Sequence, residues 1–107
     1  MSDGVADLGR FAEPSLHILV SLSDGPKHGY AIMTDIERVA GSPMGPGTLY
    51  GALARLERRG LITALDPVER RRPYRLTALG ATTLEDQLRR LRSFIDTGLA
   101  RLRGRAT

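Results

Sequence analysis

The sequence predicts a mainly α-helical protein with a small β-wing, and three observations support this fold class. Three short segments with helical spacing of apolar residues, separated by Gly/Pro-rich turns, fill residues 14–60. Two stretches rich in strand-forming residues follow, joined by a basic turn. From Thr77, a candidate N-cap, the pattern stays helical to about Arg103. This order of elements is that of a winged helix-turn-helix followed by a long C-terminal helix.

The first two predicted helices are short and end at glycine–proline turns. Residues 14–23 are mostly apolar, and the turn at residues 24–26 ends that helix. The second helix covers residues 28–40 and is closed by the turn at residues 41–43. Its apolar residues recur at the spacing of one helix face: Ile32, Met33, Ile36 and Val39.

The third helix, residues 45–60, has two sides of different character. Its leucines form one predicted buried stripe: Leu49, Leu53 and Leu56. The opposite side carries Gly51, Ala54, Arg55 and Arg58. A solvated helix face normally carries long side chains of both signs, whereas this one is small, smooth and basic. It therefore suits close approach to a large partner, such as the major groove of DNA.

The predicted β-wing is a two-stranded ribbon. Its strands are residues 61–65 and 74–76, and three consecutive arginines lie at its tip: Arg70, Arg71 and Arg72. Because proline cannot donate a hydrogen bond to a strand ladder, we expect the second strand to start at Tyr74, after Pro73.

The charge distribution indicates the chemistry of the partner. The chain has 107 residues and a formal net charge of +4. Residues 1–54 carry three basic and six acidic side chains, whereas residues 55–107 carry thirteen basic and six acidic ones. A basic C-terminal half favours a polyanion as partner. The alternative is a solvated basic surface that binds nothing.

Several classes of protein are excluded by what the sequence lacks. It contains no cysteine and two histidines, so we expect no disulfide, no metal site and no cofactor. It has no Gly-rich phosphate loop, nucleophile elbow or suitably spaced acid cluster, so we expect no catalytic residues and no enzyme activity. No run approaches the roughly 20 apolar residues of a membrane span, and the acidic N-terminus does not resemble a signal peptide. We therefore expect a cytoplasmic protein with no membrane contact.

Short motifs in a specific joint spacing resemble the PadR family of bacterial transcriptional regulators over about residues 15–84. They are His28-Gly29-Tyr30, Gly47-Thr48-Leu49-Tyr50 with Ala52-Leu53, the run Arg55-Leu56-Glu57-Arg58-Arg59-Gly60-Leu61-Ile62, Tyr74-Arg75-Leu76-Thr77, and Gly80. The resemblance implies a winged helix DNA-binding domain, which we assign to residues 10–77, and a C-terminal dimerisation helix, assigned to residues 78–104.

The sequence departs from the family pattern on the third helix. Proline typically follows the Leu-Tyr pair, where this chain has Gly51, and a basic or polar residue is common where it has Ala54. Both positions lie on the side assigned to DNA. The departures therefore bear on the operator sequence and leave the fold assignment unchanged.

Ten residues are predicted to contact duplex DNA. Thr48, Gly51 and Arg55 are expected to enter the major groove. Arg55 is a candidate for reading a base, because its guanidinium can pair bidentately with a guanine edge. The three wing arginines suit phosphate or minor-groove contacts. The other candidates lie beside the helix start that the resemblance brings near the DNA backbone, or flank the Leu49 stripe: Lys27, His28, Tyr30 and Tyr50.

Some of these residues have alternative interpretations. His28 and Tyr30 could instead cap and pack the second helix. Tyr50 either packs or hydrogen-bonds to DNA, and Arg58 and Arg59 are either phosphate contacts or solvated charges. His17 lies among apolar residues and is interpreted as a core or dimer-facing histidine rather than a ligand.

The last helix carries a heptad-like seam that predicts a homodimer. The seam residues are Leu84, Leu88, Leu91, Ile95, Leu99 and Leu102, with Gly98 at one seam position. The seam is longer than the small body on which it could pack. Two-fold pairing would place two third helices on the half-sites of a pseudo-palindromic operator, about one DNA turn apart.

The resemblance also implies that a planar aromatic effector can bind between two such helices. Phe94 is the only aromatic residue on this helix and is the candidate platform. The alternative is that Phe94 packs on Phe11 or Leu16 of a partner subunit.

These observations predict a sequence-specific DNA-binding transcriptional regulator, a homodimeric repressor released by a small-molecule effector. The alternative is a winged-helix adaptor that binds proteins and has no DNA function. The wing discriminates between them, because an adaptor has no use for three arginines opposite a smooth third helix.

Overall fold

The structure is a computed structural model that describes residues 14–105. The start of the first predicted domain, residues 10–13, and Phe11 lie outside the described residues. Within the described part, helices alternate with short strands: α1 Pro14–Leu22, β1 Lys27–His28, α2 Gly29–Ala40, α3 Pro46–Arg58, β2 Ile62–Ala64, β3 Pro73–Leu76 and α4 Ala78–Arg105. The predicted fold class, mainly α-helical with a small wing and a long last helix, is confirmed.

The hydrophobic core lies where α1, α2 and α3 meet beneath the sheet and the start of α4. The predicted leucine stripe of α3 is fully buried, with Leu49, Leu53 and Leu56 each at most 2% exposed. The other core residues come from every helix and from the segment around β2: Ile18, Leu19, Leu22, Ile32, Ile36, Ala52, Leu61, Ile62 and Leu84. Val39, at the end of the α2 apolar pattern, is 64% exposed and lies outside this core.

Local capping residues fix both ends of α3 and the start of α4. Pro46 occupies the first turn of α3, and Gly60 adopts φ +75° just after that helix, a left-handed conformation that glycine tolerates best. The Thr77 hydroxyl accepts from the Gly80 N–H at 3.0 Å and donates to the Gly60 carbonyl at 2.7 Å. Thr77 therefore both caps α4 and ties it to the end of α3.

The sheet has three antiparallel strands in the order β1-β3-β2. The predicted ribbon is confirmed as β2 paired with β3, whereas β1 is an additional strand that was not predicted. Strand β1 pairs Lys27 with Tyr74 and His28 with Pro73. A two-residue strand leaves no alternation that the sequence could reveal. The expected start of the second wing strand at Tyr74 is wrong, because β3 begins at Pro73, whose carbonyl accepts from the Leu65 N–H at 2.8 Å. Proline has no backbone N–H to donate to the ladder, but its carbonyl can still accept a hydrogen bond.

Helix α4 leaves the body after its first turns. It has 28 residues, about 42 Å at 1.5 Å per residue. Gly80 packs against the body so closely that a Cβ there would lie 2.9 Å from both the Leu61 carbonyl carbon and Leu76 Cδ1. Leu84 is buried, whereas the helix beyond Leu91 is exposed along its length. Within residues 14–105, no helix is long and apolar enough to cross a membrane.

Candidate nucleic-acid interface

The outer face of α3 is exposed and sterically smooth. Thr48, Gly51, Ala54 and Arg55 are all solvent-exposed. A Cβ added at Gly51 would meet only the Arg55 guanidinium, at 3.7 Å. The structure thus brings the three predicted groove residues onto one helix face, with nothing of the described chain above them.

The arginines of this face are not neutralised within the chain. In the part of the chain that the structure describes, ion pairs bind Lys27 to Asp24, Arg38 to Asp35, Arg89 to Glu85 and Arg90 to Asp86. Across residues 14–105, Arg55, Arg58 and Arg59 have no carboxylate partner. Their charge is therefore available to an external anion.

The wing ends in a strained two-residue turn. Val68 and Arg71 exchange backbone hydrogen bonds at 2.8 and 2.9 Å, and between them Glu69 and Arg70 have φ of +50° and +66°. Hairpins of this kind favour Asn-Gly, because side chains rarely tolerate positive φ. Each such residue costs about 1–3 kcal/mol. The turn therefore places Glu69 and Arg70 at the tip of the wing.

The three wing arginines differ in their contacts. The Arg72 guanidinium donates to the Leu65 carbonyl at 3.1 Å and so braces the wing. Arg71 lies 6.0 Å from the centre of the Tyr30 ring, at cation–π distance, and its Nη1 is 3.3 Å from His28 Nε2. The side chain of Arg70 makes no hydrogen bond or ion pair within residues 14–105.

A cleft of about 270 Å³ joins the wing to the start of α2. Six predicted DNA-binding residues line it: His28, Tyr30, Tyr50, Arg70, Arg71 and Arg72. Tyr50 lies over Gly29, where a Cβ would come within 2.9 Å of the tyrosine Cζ. His28 also caps α2, with Nδ1 accepting from the Ala31 N–H at 3.2 Å, so the capping interpretation holds for it.

Sequence reasoning missed two residues of this cleft, Gly29 and Tyr74. Both belong to the motifs quoted above, but neither has a charge or an exposed position that would single it out. Tyr74 forms the inner wall, and burial, followed by the nearby Glu57 carboxylate, raises the pKa of its hydroxyl.

Lys27 does not join the cleft. Its ammonium donates to the Ser21 carbonyl and to the Asp24 carboxylate, and its side chain is 18% exposed. Among the predicted contact residues, Lys27 is thus the one whose charge is bound within the chain at the end of α1.

The seam of α4 divides into two parts. Leu84 is 5% exposed and belongs to the core of its own chain. Leu91 is half-buried, and the other seam residues are 42–60% exposed: Leu88, Ile95, Leu99 and Leu102. Phe94 is 77% exposed and points about 100° around the helix from Ile95. A groove of about 460 Å³ beside α4 is lined by Leu76, Leu84 and Leu88 and does not include Phe94.

His17 is half-buried in a small cleft between α1 and α2, together with Ser21 and Asp35. The neighbouring Ser21 hydroxyl and then the Arg38 guanidinium lower the pKa of Asp35. The ion pair with Arg38, at 2.5 Å, is the contact that the geometry supports, since the buried Ser21 Oγ has no hydrogen-bond partner within residues 14–105. Within residues 14–105, no group of three or more His, Cys, Asp or Glu side chains could hold a metal ion.

Comparisons with known proteins identify similar sequences and similar folds. The sequence profile of the transcriptional regulator PadR-like family matches residues 18–86. The chain is 38% identical over 79 residues to the transcriptional regulator Rv3488 of Mycobacterium tuberculosis, covering 71% of this chain and 73% of that protein. A crystal structure of a PadR family transcription regulator from hypervirulent Clostridium difficile matches with a TM-score of 0.74 at 25% identity, covering 80% of this chain and 94% of that one.

A further relative is much longer. The chain is 44% identical over 96 residues to an uncharacterised 37.1 kDa protein in transposon Tn4556 of Streptomyces fradiae. The match covers 90% of this chain and 26% of that protein, so the chain spans about a quarter of its length.

Proposed function

The chain belongs to the PadR-like family of transcriptional regulators, which are not enzymes, and on that premise we propose that it is a homodimeric repressor that binds a pseudo-palindromic operator. The observation that carries the proposal is the exposed face of α3, whose arginines have no carboxylate partner within residues 14–105. A regulator of this kind acts where the chromosome lies, which in a bacterium is the cytoplasm.

Helix α3 enters the major groove in this proposal. Gly51 and Ala54 allow the helix backbone to approach the bases, and the guanidinium of Arg55 reaches a guanine edge. The wing lies over the adjacent backbone, with Arg70 directed at the minor groove. Lys27 contributes little, because its ammonium is held by Ser21 and Asp24.

The second copy binds along the exposed part of the α4 seam. Four large apolar side chains there are 42–60% exposed, and on a solvated helix such a row is unfavourable: Leu88, Ile95, Leu99 and Leu102. Leu84 contributes indirectly, by fixing the base of α4 to the body. We retain the division into a DNA-binding domain of residues 10–77 and a dimerisation helix of residues 78–104, of which residues 10–13 lie outside the described chain.

Release by a planar aromatic effector completes the proposal. Two features of α4 support it: the ring of Phe94 is 77% exposed, and Gly98, one turn later, has no side chain. An effector can weaken DNA binding only if it binds the two states of the dimer unequally.

Selection of genomic DNA tests the operator part. Purified protein is mixed with sheared genomic fragments at low and moderate salt, and the retained fragments are sequenced. We expect an enriched pseudo-palindrome and an affinity that falls steeply with salt, because bound arginines displace counterions. Absence of any duplex binding at low salt would leave the protein-binding adaptor as the function.

Thermal shift with a panel of planar aromatics tests the effector part. Ligands that stabilise the free protein, and do so less when operator is present, support release. Hits that are identical for wild type and Phe94→Ala would exclude Phe94 as the platform.

A further inference from the structure

Both ring nitrogens of His28 face hydrogen-bond donors. Nδ1 lies 3.2 Å from the Ala31 backbone N–H, and Nε2 lies 3.3 Å from Arg71 Nη1. A neutral imidazole carries one N–H and one lone pair, and an imidazolium carries two N–H groups. The ring therefore cannot accept from both neighbours at once.

The lone pair belongs to Nδ1. His28 is the N-cap of α2, where the first amides of the helix need an acceptor and the contact is partly buried. Arg71 is exposed on the wing, and its guanidinium has other N–H groups that water can reach. Nε2 therefore carries the hydrogen, and this N–H faces the guanidinium, a second donor. An acceptor that contacts both groups resolves the conflict.

The surroundings define the chemistry of that acceptor. None of the residues lining the cleft of about 270 Å³ carries a carboxylate, and Arg70, Arg72, Tyr30 and Tyr50 line it together with His28 and Arg71. A group with several anionic oxygens matches these donors, since N–H donors with positive charge bind phosphate oxygens through short, strong hydrogen bonds.

We propose that this cleft is a phosphate site in which His28 Nε2–H and Arg71 donate to oxygens of the same phosphate, a backbone phosphodiester of the operator. The assignment to DNA rests on the proposed function. The bound phosphate joins the wing to the start of α2, so it fixes the wing against the body.

Single methylphosphonates, which remove the charge of one phosphate, test the site on a selected duplex. The variants are Arg71→Ala and His28→Asn, which keeps a capping side chain at the α2 N-terminus but loses Nε2–H. Arg75→Ala is the matched control, because Arg75 is exposed on β3 and does not line the cleft. Thermal unfolding of each variant checks that the fold is retained.

We expect one methylphosphonate position per half-site to weaken wild-type binding about tenfold or more, the effect of losing a charged hydrogen bond. Arg71→Ala and His28→Asn should each weaken binding to the unmodified duplex. A methylphosphonate at that position should not weaken the binding of either variant further. Arg75→Ala should keep the wild-type sensitivity. If Arg71→Ala and the methylphosphonate reduce the DNA affinity independently at every position, so that their fold-losses multiply, the proposed phosphate site is wrong.

Nitrogen NMR of the His28 ring, with inorganic phosphate as probe, separates this site from DNA binding itself. We expect the Nε2–H tautomer in the free protein and a saturable shift with phosphate that Arg71→Ala abolishes. An Nδ1–H tautomer overturns the proposal. Phosphate shifts without any duplex binding would overturn the proposed function and the assignment to DNA, while retaining a phosphate site. Duplex binding with no sensitive position and no phosphate shift would overturn the site alone.

Discussion

The winged body and the distal part of α4 carry similar apolar spacing but differ in where those residues pack. In the body, Leu49, Leu53 and Leu56 meet side chains of the same chain and are at most 2% exposed. On distal α4, Ile95 and Leu99 recur at comparable spacing and remain about half exposed. Periodicity therefore identifies an apolar face, whereas burial within one chain shows whether that face still needs a partner.

Ile95→Asp should have the largest effect, which is the loss of pairing along distal α4. Ile95 is 54% exposed in the single chain, so aspartate there should leave the fold intact. In a dimer each copy would bury an unpaired carboxylate, at a cost of about 3 kcal/mol or more per site. Sedimentation velocity should therefore show monomers. Leu79→Asp, at an exposed position on the first turn of α4, is the matched control and should stay dimeric; equal masses for both variants would place the interface elsewhere.

Gly80→Ala and Gly98→Ala should change the free energy of unfolding in opposite directions, because Gly80 packs on the body of its own chain and Gly98 does not. At Gly80 a Cβ collides with the Leu61 backbone, which cannot move aside cheaply, so we expect a loss of about 3 kcal/mol. At Gly98 a Cβ meets nothing of its own chain within 4 Å, so in the monomeric Ile95→Asp background alanine should stabilise the helix by about 1 kcal/mol. Chemical denaturation measures both, and a similar change at the two sites would contradict the division.

Much of the body could be predicted from sequence because its signals are local. The leucine stripe of α3, Pro46 at its start and the Thr77 cap each depend on neighbours a few residues away. Strand β1 could not be predicted, because its two residues are ordered by Pro73 and Tyr74, more than forty positions later. The contact of His28 with Arg71 could not be predicted for the same reason, because the two residues are 43 positions apart.

The candidate site was predicted as a set of residues but not as an arrangement. Charge and motif spacing selected the wing arginines, yet only the fold shows that Arg72 braces the wing while Arg70 stays free. Lys27 illustrates the converse, since its positive charge is bound by Asp24 and a carbonyl that the sequence does not place beside it.

Substitutions in the wing turn should have smaller effects on stability and should separate backbone strain from DNA contact. Glu69→Asn should stabilise the protein by up to about 1 kcal/mol, because asparagine tolerates positive φ better than glutamate, and should not weaken DNA binding. Arg70→Gly should relieve the same strain but reduce DNA affinity. Thermal unfolding combined with duplex titration measures both properties, and unchanged affinity of Arg70→Gly would remove Arg70 from the interface.

The smallest expected effect is a pH dependence between α1 and α2. The pKa of Asp35 lies below the ordinary 3.8 in the folded chain, chiefly through the Ser21 hydroxyl and then Arg38. A lowered folded pKa stabilises the fold fully above about pH 4 and loses this contribution as pH falls through the folded value. Because the ion pair with Arg38 is the contact that the geometry supports, wild type should lose stability on acidification more steeply than Arg38→Ala in urea unfolding. Parallel pH profiles would contradict this origin.

The number of protein chains on the selected duplex decides whether distal α4 pairs two copies on one operator. Native mass spectrometry of wild-type protein with a duplex carrying one enriched pseudo-palindrome should show two chains per duplex, and Ile95→Asp should lose this species at the same concentration. One chain per duplex for wild type, or an unchanged two-chain complex for Ile95→Asp, would contradict the account in which distal α4 pairs two copies so that two α3 helices contact one operator.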